Sequence, residues 1–421
     1  MKKRYLMLAL IILMFSLSVV SASENVSVAN DTLAIDGDGL SVIEEPNDSI
    51  IESGNSDVGL IGDSSSESNL SDSGSGTNVS SNNAQTTDDK SVVSKAKPAK
   101  VTNTKDISST YGTVVYYKVK VLDKAGKAIE GQKVSFTIVG KGTVTKYTDA
   151  NGIAMVSCNC SAGSYVIKYK ADNVTGSNTY TVKNKISLTV LKWGIKGDVT
   201  KNKLIKKNMP NNAWVKKIVA ATKKGIPLLT IKGGSGKVVF MTAGVHGNEI
   251  SSQVAAMKMI NYLTKHPIKG TVYFMPFVNV KAISKKVRYT DKDFNRIADK
   301  SGTIPNKIVK LVKKYKCDAY GDFHTTKPGG VPGKNIVMGS KTPATQSAAL
   351  TKYIAKKCKV NQRIYKYAGQ QYPGGINDNV NKLGIPAVIC EVMLPHNTVT
   401  TKTVKTSYNM MKYFLKFNSA I

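Results

Sequence analysis

Cysteine is sparse in this chain, with five in 421 residues, too few and too scattered for the disulfide framework that holds small secreted domains together. Cys158 and Cys160 stand two apart in an expected strand, point to one side and rarely bridge each other. Among Cys317, Cys358 and Cys390 one pair could bridge, and the odd count leaves at least one thiol over. Beyond Tyr5–Val20 no stretch reaches 18 consecutive apolar residues, which excludes a second membrane-spanning helix. Lysine and arginine are missing from residues 5–89, where fourteen carboxylates stand unbalanced. Aromatic side chains are missing from residues 23–97. A segment so composed cannot bury enough apolar surface to offset its ordering entropy, and reads as a disordered acidic linker rich in Ser, Asn and Asp. Asn-x-Ser/Thr sequons recur in it at Asn25, Asn30, Asn47, Asn69 and Asn78.

What is present begins with an export signal over residues 1–22. Met1–Arg4 supply a positive n-region, Tyr5–Val20 an apolar core of 16 residues, and Val20-Ser21-Ala22 small residues for cleavage. The core is short against the roughly 20 residues of a bilayer span, so cleavage is favoured over an anchor. The expected location is secreted or cell-surface associated, with no membrane span after cleavage. From Lys90 onward 57 basic residues face fourteen acidic ones. A field of that sign suits a polyanionic neighbour such as an acidic cell-envelope polymer, and export argues against nucleic acid.

Residues 98–186 show short alternating segments, Val114–Val121, Lys133–Val139 and Ser164–Lys170, with turn signals between them. That spacing is the signature of a β-sandwich. The stretch from "VLDKAGKAIEGQKVSF" to "TDANG" resembles the bacterial Ig-like repeats of invasin-type surface proteins. From about residue 190 to the end, strands alternate with helices. Expected strands are Val238–Thr242, Thr271–Phe277, Asp318–Phe323 and Ala387–Val392. Expected helices are Ile250–Leu263, Asn306–Lys314, Ala344–Lys357 and Ile376–Leu383, with a last one near Asn409–Phe417. Such alternation predicts an α/β/α domain with a mostly parallel mixed sheet, whose site lies at the carboxyl ends of the strands.

Only four histidines occur, His246, His266, His324 and His396, and past Glu130 only two glutamates, Glu249 and Glu391. His246 and Glu249 form H-x-x-E in "GVHGNE", between a strand and a helix, which aims an imidazole and a carboxylate at one point. His324 follows "DAYGDF" at a neighbouring strand end. Zinc takes such N and O donors with one position left open. A carboxylate beside the metal, such as Glu391, can then take a proton from water and return it to a leaving amine. The domain holds only three arginines, Arg288, Arg296 and Arg363, among dozens of lysines. A guanidinium fork matches a carboxylate in a way lysine does not. The alternative for Arg288 is pairing with Asp291 or Asp293.

The motifs "GVHGNE", "DFNR" and "DFHTT" with a late strand-end Glu resemble the zinc carboxypeptidase clan, and most closely the succinylglutamate desuccinylase/aspartoacylase family, from Lys237 to Tyr413. The resemblance implies one zinc ion on His246, Glu249 and His324, and Glu391 as catalytic base and acid. It also implies Arg288 polarising the scissile carbonyl, Asn295 and Arg296 holding the substrate carboxylate, and Tyr372 assisting. Thr325 and Thr326 would shape the rim; His266 and His396 read as surface or supporting residues, with His396, five residues after Glu391, alternatively lining the pocket mouth. The chain departs from the family at Ile297-Ala298-Asp299 after the Asn-Arg pair and at Met393. It also ends 30 residues after Glu391, so a more open site is expected. The preferred substrate is a peptide with a free carboxylate, such as a cell-wall peptide. Alternatives are a deacylase of small N-acyl amino acids and a non-catalytic adhesin.

Overall fold

The computed structural model describes the dipeptide Leu60–Ile61 and residues 96–421. The export segment and nearly all of the acidic linker lie outside the described residues. The first nine strands are β1 (Leu60–Ile61), β2 (Lys100–Thr102), β3 (Ile107–Thr110), β4 (Val115–Leu122), β5 (Lys133–Ile138), β6 (Gly142–Tyr147), β7 (Ile153–Cys158), β8 (Gly163–Ala171) and β9 (Val174–Lys183). They form two sheets, ordered β1-β7-β4-β2 and β3-β9-β8-β5-β6. Burial alternates along β5, as a period of two requires when one face packs on a core. Tyr117, Val119, Phe136, Ile167 and Tyr180 fill that core.

The remaining strands build one sheet of eight: β10 (Lys185–Leu191), β11 (Ile226–Lys232), β12 (Val238–Ala243), β13 (Thr271–Met275), β14 (Ala319–Thr326), β15 (Ile336–Thr342), β16 (Asn361–Tyr367) and β17 (Ala387–Met393). The order is β10-β11-β13-β12-β14-β17-β15-β16. The centre is parallel, with β13, β12, β14 and β17 side by side. The pairs β10–β11, β11–β13 and β15–β17 are antiparallel, making the sheet mixed. Lys185–Leu191 straddles the boundary read from sequence, yet it pairs with β11 over its whole length.

Every residue of β14 is buried, the mark of a strand covered on both faces. Its odd positions look one way, where Phe323 meets Phe414 edge-on at 6.2 Å. That face carries the helices Ile250–Leu263 and Thr401–Phe417, joined by a 2.9 Å bond between the Ser251 and Thr403 hydroxyls. His324, the next residue along, therefore points to the opposite face. There the short helix Ile376–Asn381 packs over β14 and β17. Among the described residues no helix is long and apolar enough to cross a membrane, and none of the five cysteines forms a disulfide.

The β-module joins the large sheet at the end where the parallel strands begin. Asn184 donates to the carbonyls of Leu263 and His266 at 2.9 and 2.8 Å and accepts from Ile268 N at 3.1 Å. Ala162 N donates to Gly233 O at 2.6 Å.

Candidate active site

The turn from β12 into helix Ile250–Leu263 sets the first two site residues. Gly244 sits at φ +70, a conformation that disfavours a side chain. At Gly247 a Cβ would lie 2.3 Å from the Ala282 carbonyl carbon, so only glycine lets these backbones meet. Gln253 Nε2 ties the turn down from inside the helix, 3.0 Å from His246 O. Glu249 occupies the N-cap position but makes no capping bond. Its carboxylate turns into the site instead.

That carboxylate joins the two histidines. Glu249 Oε1 lies 2.7 Å from His246 Nδ1, and Oε2 lies 2.8 Å from His324 Nδ1. The outer ring nitrogens meet two further carboxylates. His246 Nε2 is 2.8 Å from Asp293 Oδ1, and His324 Nε2 is 3.0 Å from Asp322 Oδ2. Asp322 in turn accepts from Thr242 Oγ1 at 2.8 Å, and that hydroxyl shares a 2.6 Å bond with Tyr320 Oη. Thr325 N and Arg288 Nη1 complete the Glu249 shell, each at 3.0 Å.

All three residues His246, Glu249 and His324 are buried, so the charges are strongly coupled. Burial alone would raise the Glu249 carboxyl, but His246 and His324 outweigh it and hold the group well below the usual carboxylate range. Burial likewise works to lower His324, while the Asp322 and Glu249 charges lift it well above an ordinary imidazole. Asp293 is held low against its burial by the His246 hydrogen bond and charge and by Arg288. One ligand atom from each of His246, Glu249 and His324 lies within 4.8 Å of the others. Two imidazole nitrogens and a carboxylate oxygen form a donor set that suits zinc. Asp293 hydrogen-bonds His246 Nε2 and the Asp322 carboxylate faces His324 Nε2 at 3.0 Å, so both rings turn Nδ1 to the centre. Carboxylates fixing the outer nitrogens of ligating histidines is the usual support of such a site.

Glu391 lies beside this group, in register with His324 across β14–β17. Its Oε2 is buried without a hydrogen-bond partner. Burial, opposed by His324 and reinforced by the Glu249 charge, pushes its carboxyl up to about 8. Arg288 spends its guanidinium on Glu249 and on Asp293 Oδ2 at 3.3 Å, with the side chain 35% exposed; the pairing with Asp293 weighed from sequence is present. Asn295 uses both ends of its amide, accepting from Ile376 N at 3.0 Å and lying 3.4 Å from His324 Nε2. Arg296 is exposed at the mouth, its guanidinium 4.6 Å above the Tyr372 ring. The structure thus brings all eight site residues read from sequence into one region. His266 lies away from it, stacked on Tyr262 at 4.1 Å. The contact of Asp293 with His246 was not read from sequence, nor was Asp322, although Asp322 is two residues from His324 on one strand and so had to share its face.

The Arg296–Tyr372 pair depends on Gly374. A Cβ there would lie 2.1 Å from Arg296 O, and Ala298 N donates to Gly374 O at 2.9 Å. G374A should therefore shift Arg296 while leaving His246, Glu249 and His324 untouched. We expect kcat/KM on carboxylate-bearing substrates to fall by about 10², with zinc stoichiometry unchanged by elemental analysis.

Asp378, in the neighbouring helix, is buried without a cation at bonding distance. Burial, weakly opposed by the Gly369 backbone and Lys382, pushes its carboxyl up to about 6. A raised folded-state value means ionisation costs stability. That cost is absent below about pH 4, grows as pH rises and is complete above about pH 6. D378N should raise stability by up to about 3 kcal/mol at pH 7.5, and by little at pH 4, in denaturant melts at the two values.

Residues 235–330 match the family described as the succinylglutamate desuccinylase/aspartoacylase catalytic domain. That stretch includes His246, Glu249, Arg288, Asn295, Arg296 and His324, and stops short of Tyr372 and Glu391. No curated protein matches the chain by sequence. Among solved structures, a succinylglutamate desuccinylase/aspartoacylase from Rhodobacter sphaeroides is 21% identical with a TM-score of 0.37, over 47% of this chain and 59% of that one. The product-bound ectoine utilization protein EutE (DoeB) from Ruegeria pomeroyi is 17% identical with a TM-score of 0.39, over 47% of this chain and 61% of that one. The product-bound cell shape determinant protein Csd4 from Helicobacter pylori is 16% identical with a TM-score of 0.36, over 44% and 52%. The chain therefore spans less than two thirds of the length of these structures.

Proposed function

We propose that this chain is an exported, zinc-dependent hydrolase of amide bonds that lie next to a carboxylate. The observation that carries the reading is the buried His246–Glu249–His324 group, with both Nδ1 atoms on one carboxylate and Glu391 on the adjoining strand. The match of residues 235–330 to a deacylase family supports it. A zinc ion held by these three residues supplies Lewis acidity and an activated water near neutral pH. Glu391 receives the proton of the attacking water on its otherwise unpartnered oxygen, then delivers it to the leaving amine. Arg296, exposed over Tyr372, binds the substrate carboxylate through its fork. Arg288, held on Glu249 and Asp293, is assigned the developing charge on the carbonyl oxygen.

The export signal read in residues 1–22 favours a peptide, such as one from a cell wall, over a small N-acyl amino acid. The zinc-loaded chain should release the terminal residue from peptides with a free carboxylate and leave the amidated peptides intact. R296K should raise KM on the free acids by roughly tenfold to a hundredfold. Turnover of N-acyl amino acids without peptides would replace the substrate class. No amide turnover by a chain shown to hold zinc would remove the enzyme reading and leave a binding module.

A further inference from the structure

We propose that His396 is a positioning residue that locks two of the zinc ligands into one geometry; the inference rests on the metal-site reading above. Both of its ring nitrogens are engaged. Nδ1 accepts from Asn248 Nδ2 at 3.2 Å, and Nε2–H donates to Thr325 O at 3.1 Å. Asn248 is the residue before Glu249, and Thr325 the residue after His324. One imidazole thus spans the two segments that bear the proposed ligands. Only the neutral ring protonated at Nε2 accepts from one partner while donating to the other.

The neighbouring residue strengthens the tie. Asn397 N donates to Asn248 O at 2.8 Å, and Asn397 Nδ2 donates to Lys286 O at 3.0 Å. The loop after β17 therefore grips the β12 turn, the end of β14 and the loop leading to Arg288. Thr325 N already donates to Glu249, so a shift of that backbone moves two ligands together. A residue that holds ligand-bearing backbone should govern how tightly the metal is held more than whether the chain folds.

The test measures zinc affinity of the full chain by chelator competition, alongside the melting temperature of the metal-free chain. We expect H396A to weaken zinc binding by roughly tenfold to a hundredfold, with a much smaller change in metal-free melting. H396Q, whose amide can donate and accept at once, should recover part of the affinity. Wild-type zinc affinity in H396A overturns the inference, as does a loss that H396Q shares in full. If H396A does not fold, N248A takes its place, with weakened affinity supporting the inference and wild-type affinity overturning it. A wild-type chain that takes up no zinc sinks the metal reading itself, and the inference with it.

Discussion

Replacing Glu391 with glutamine should leave zinc bound and lower kcat by about 10²–10⁴, the range set by removing a positioned general acid–base. Three features bear on this result. The register with His324 places Glu391 next to a proposed ligand without making it one. Its Oε2 has no internal hydrogen-bond partner, so that oxygen is free to take a proton. Burial also holds its carboxyl up to about 8, and a nearby cation would draw that value back toward neutrality, where a general base works best. Glutamine keeps the size and removes the proton-accepting charge. Steady-state kinetics on the best peptide, with zinc measured on the same sample, reads both quantities. A variant that keeps its zinc and retains activity within a few-fold of wild type would show that Glu391 is not the base.

His324→Ala should abolish metal binding, and with it activity, and should also destabilise the chain before any metal is added. Wild type should carry about one zinc per chain, the variant none. The stability loss has a separate origin. Asp322, fully buried, faces His324 Nε2, and removing the ring leaves that carboxylate without its charged partner. Breaking a buried pair from one side costs about 3–5 kcal/mol. The double variant H324A/D322N removes the stranded charge and should recover much of that loss while remaining free of zinc. Denaturant melts in the presence of a chelator separate the two effects. A single variant that melts like metal-free wild type would mean that water already satisfies Asp322.

The α/β region was readable from sequence where local pattern and burial agree. Helix Ile250–Leu263 runs between the residues expected of it, because a helix between two core strands is apolar enough to show its ends. His324 was expected just past its strand, but β14 continues to Thr326. Past Phe323 the strand has lost β12 and is carried to Thr326 by its parallel pairing with β17 alone. The outer strands β10, β11, β15 and β16 were not foreseen. In β10, β15 and β16 polar or basic residues interrupt the apolar ones, and it is pairing with a preformed sheet that makes them strands. The site residues were visible as rare types in a lysine-rich background, but their partners were not. Asp293 looked like a rival for Arg288 and proves to hold His246 as well. His396 read as a surface or supporting residue, and its bonds to Asn248 and Thr325 O give the partners that reading lacked.

The attachment of the β-module has a mechanical consequence. Asn184 and the Ala162–Gly233 bond hold the larger sheet at its entry edge, while His246, His324 and Glu391 stand at the exit edge. The module therefore braces the sheet at the end opposite the His246–Glu249–His324 group, so that group keeps its geometry without help from the module and its own approach stays clear of that joint.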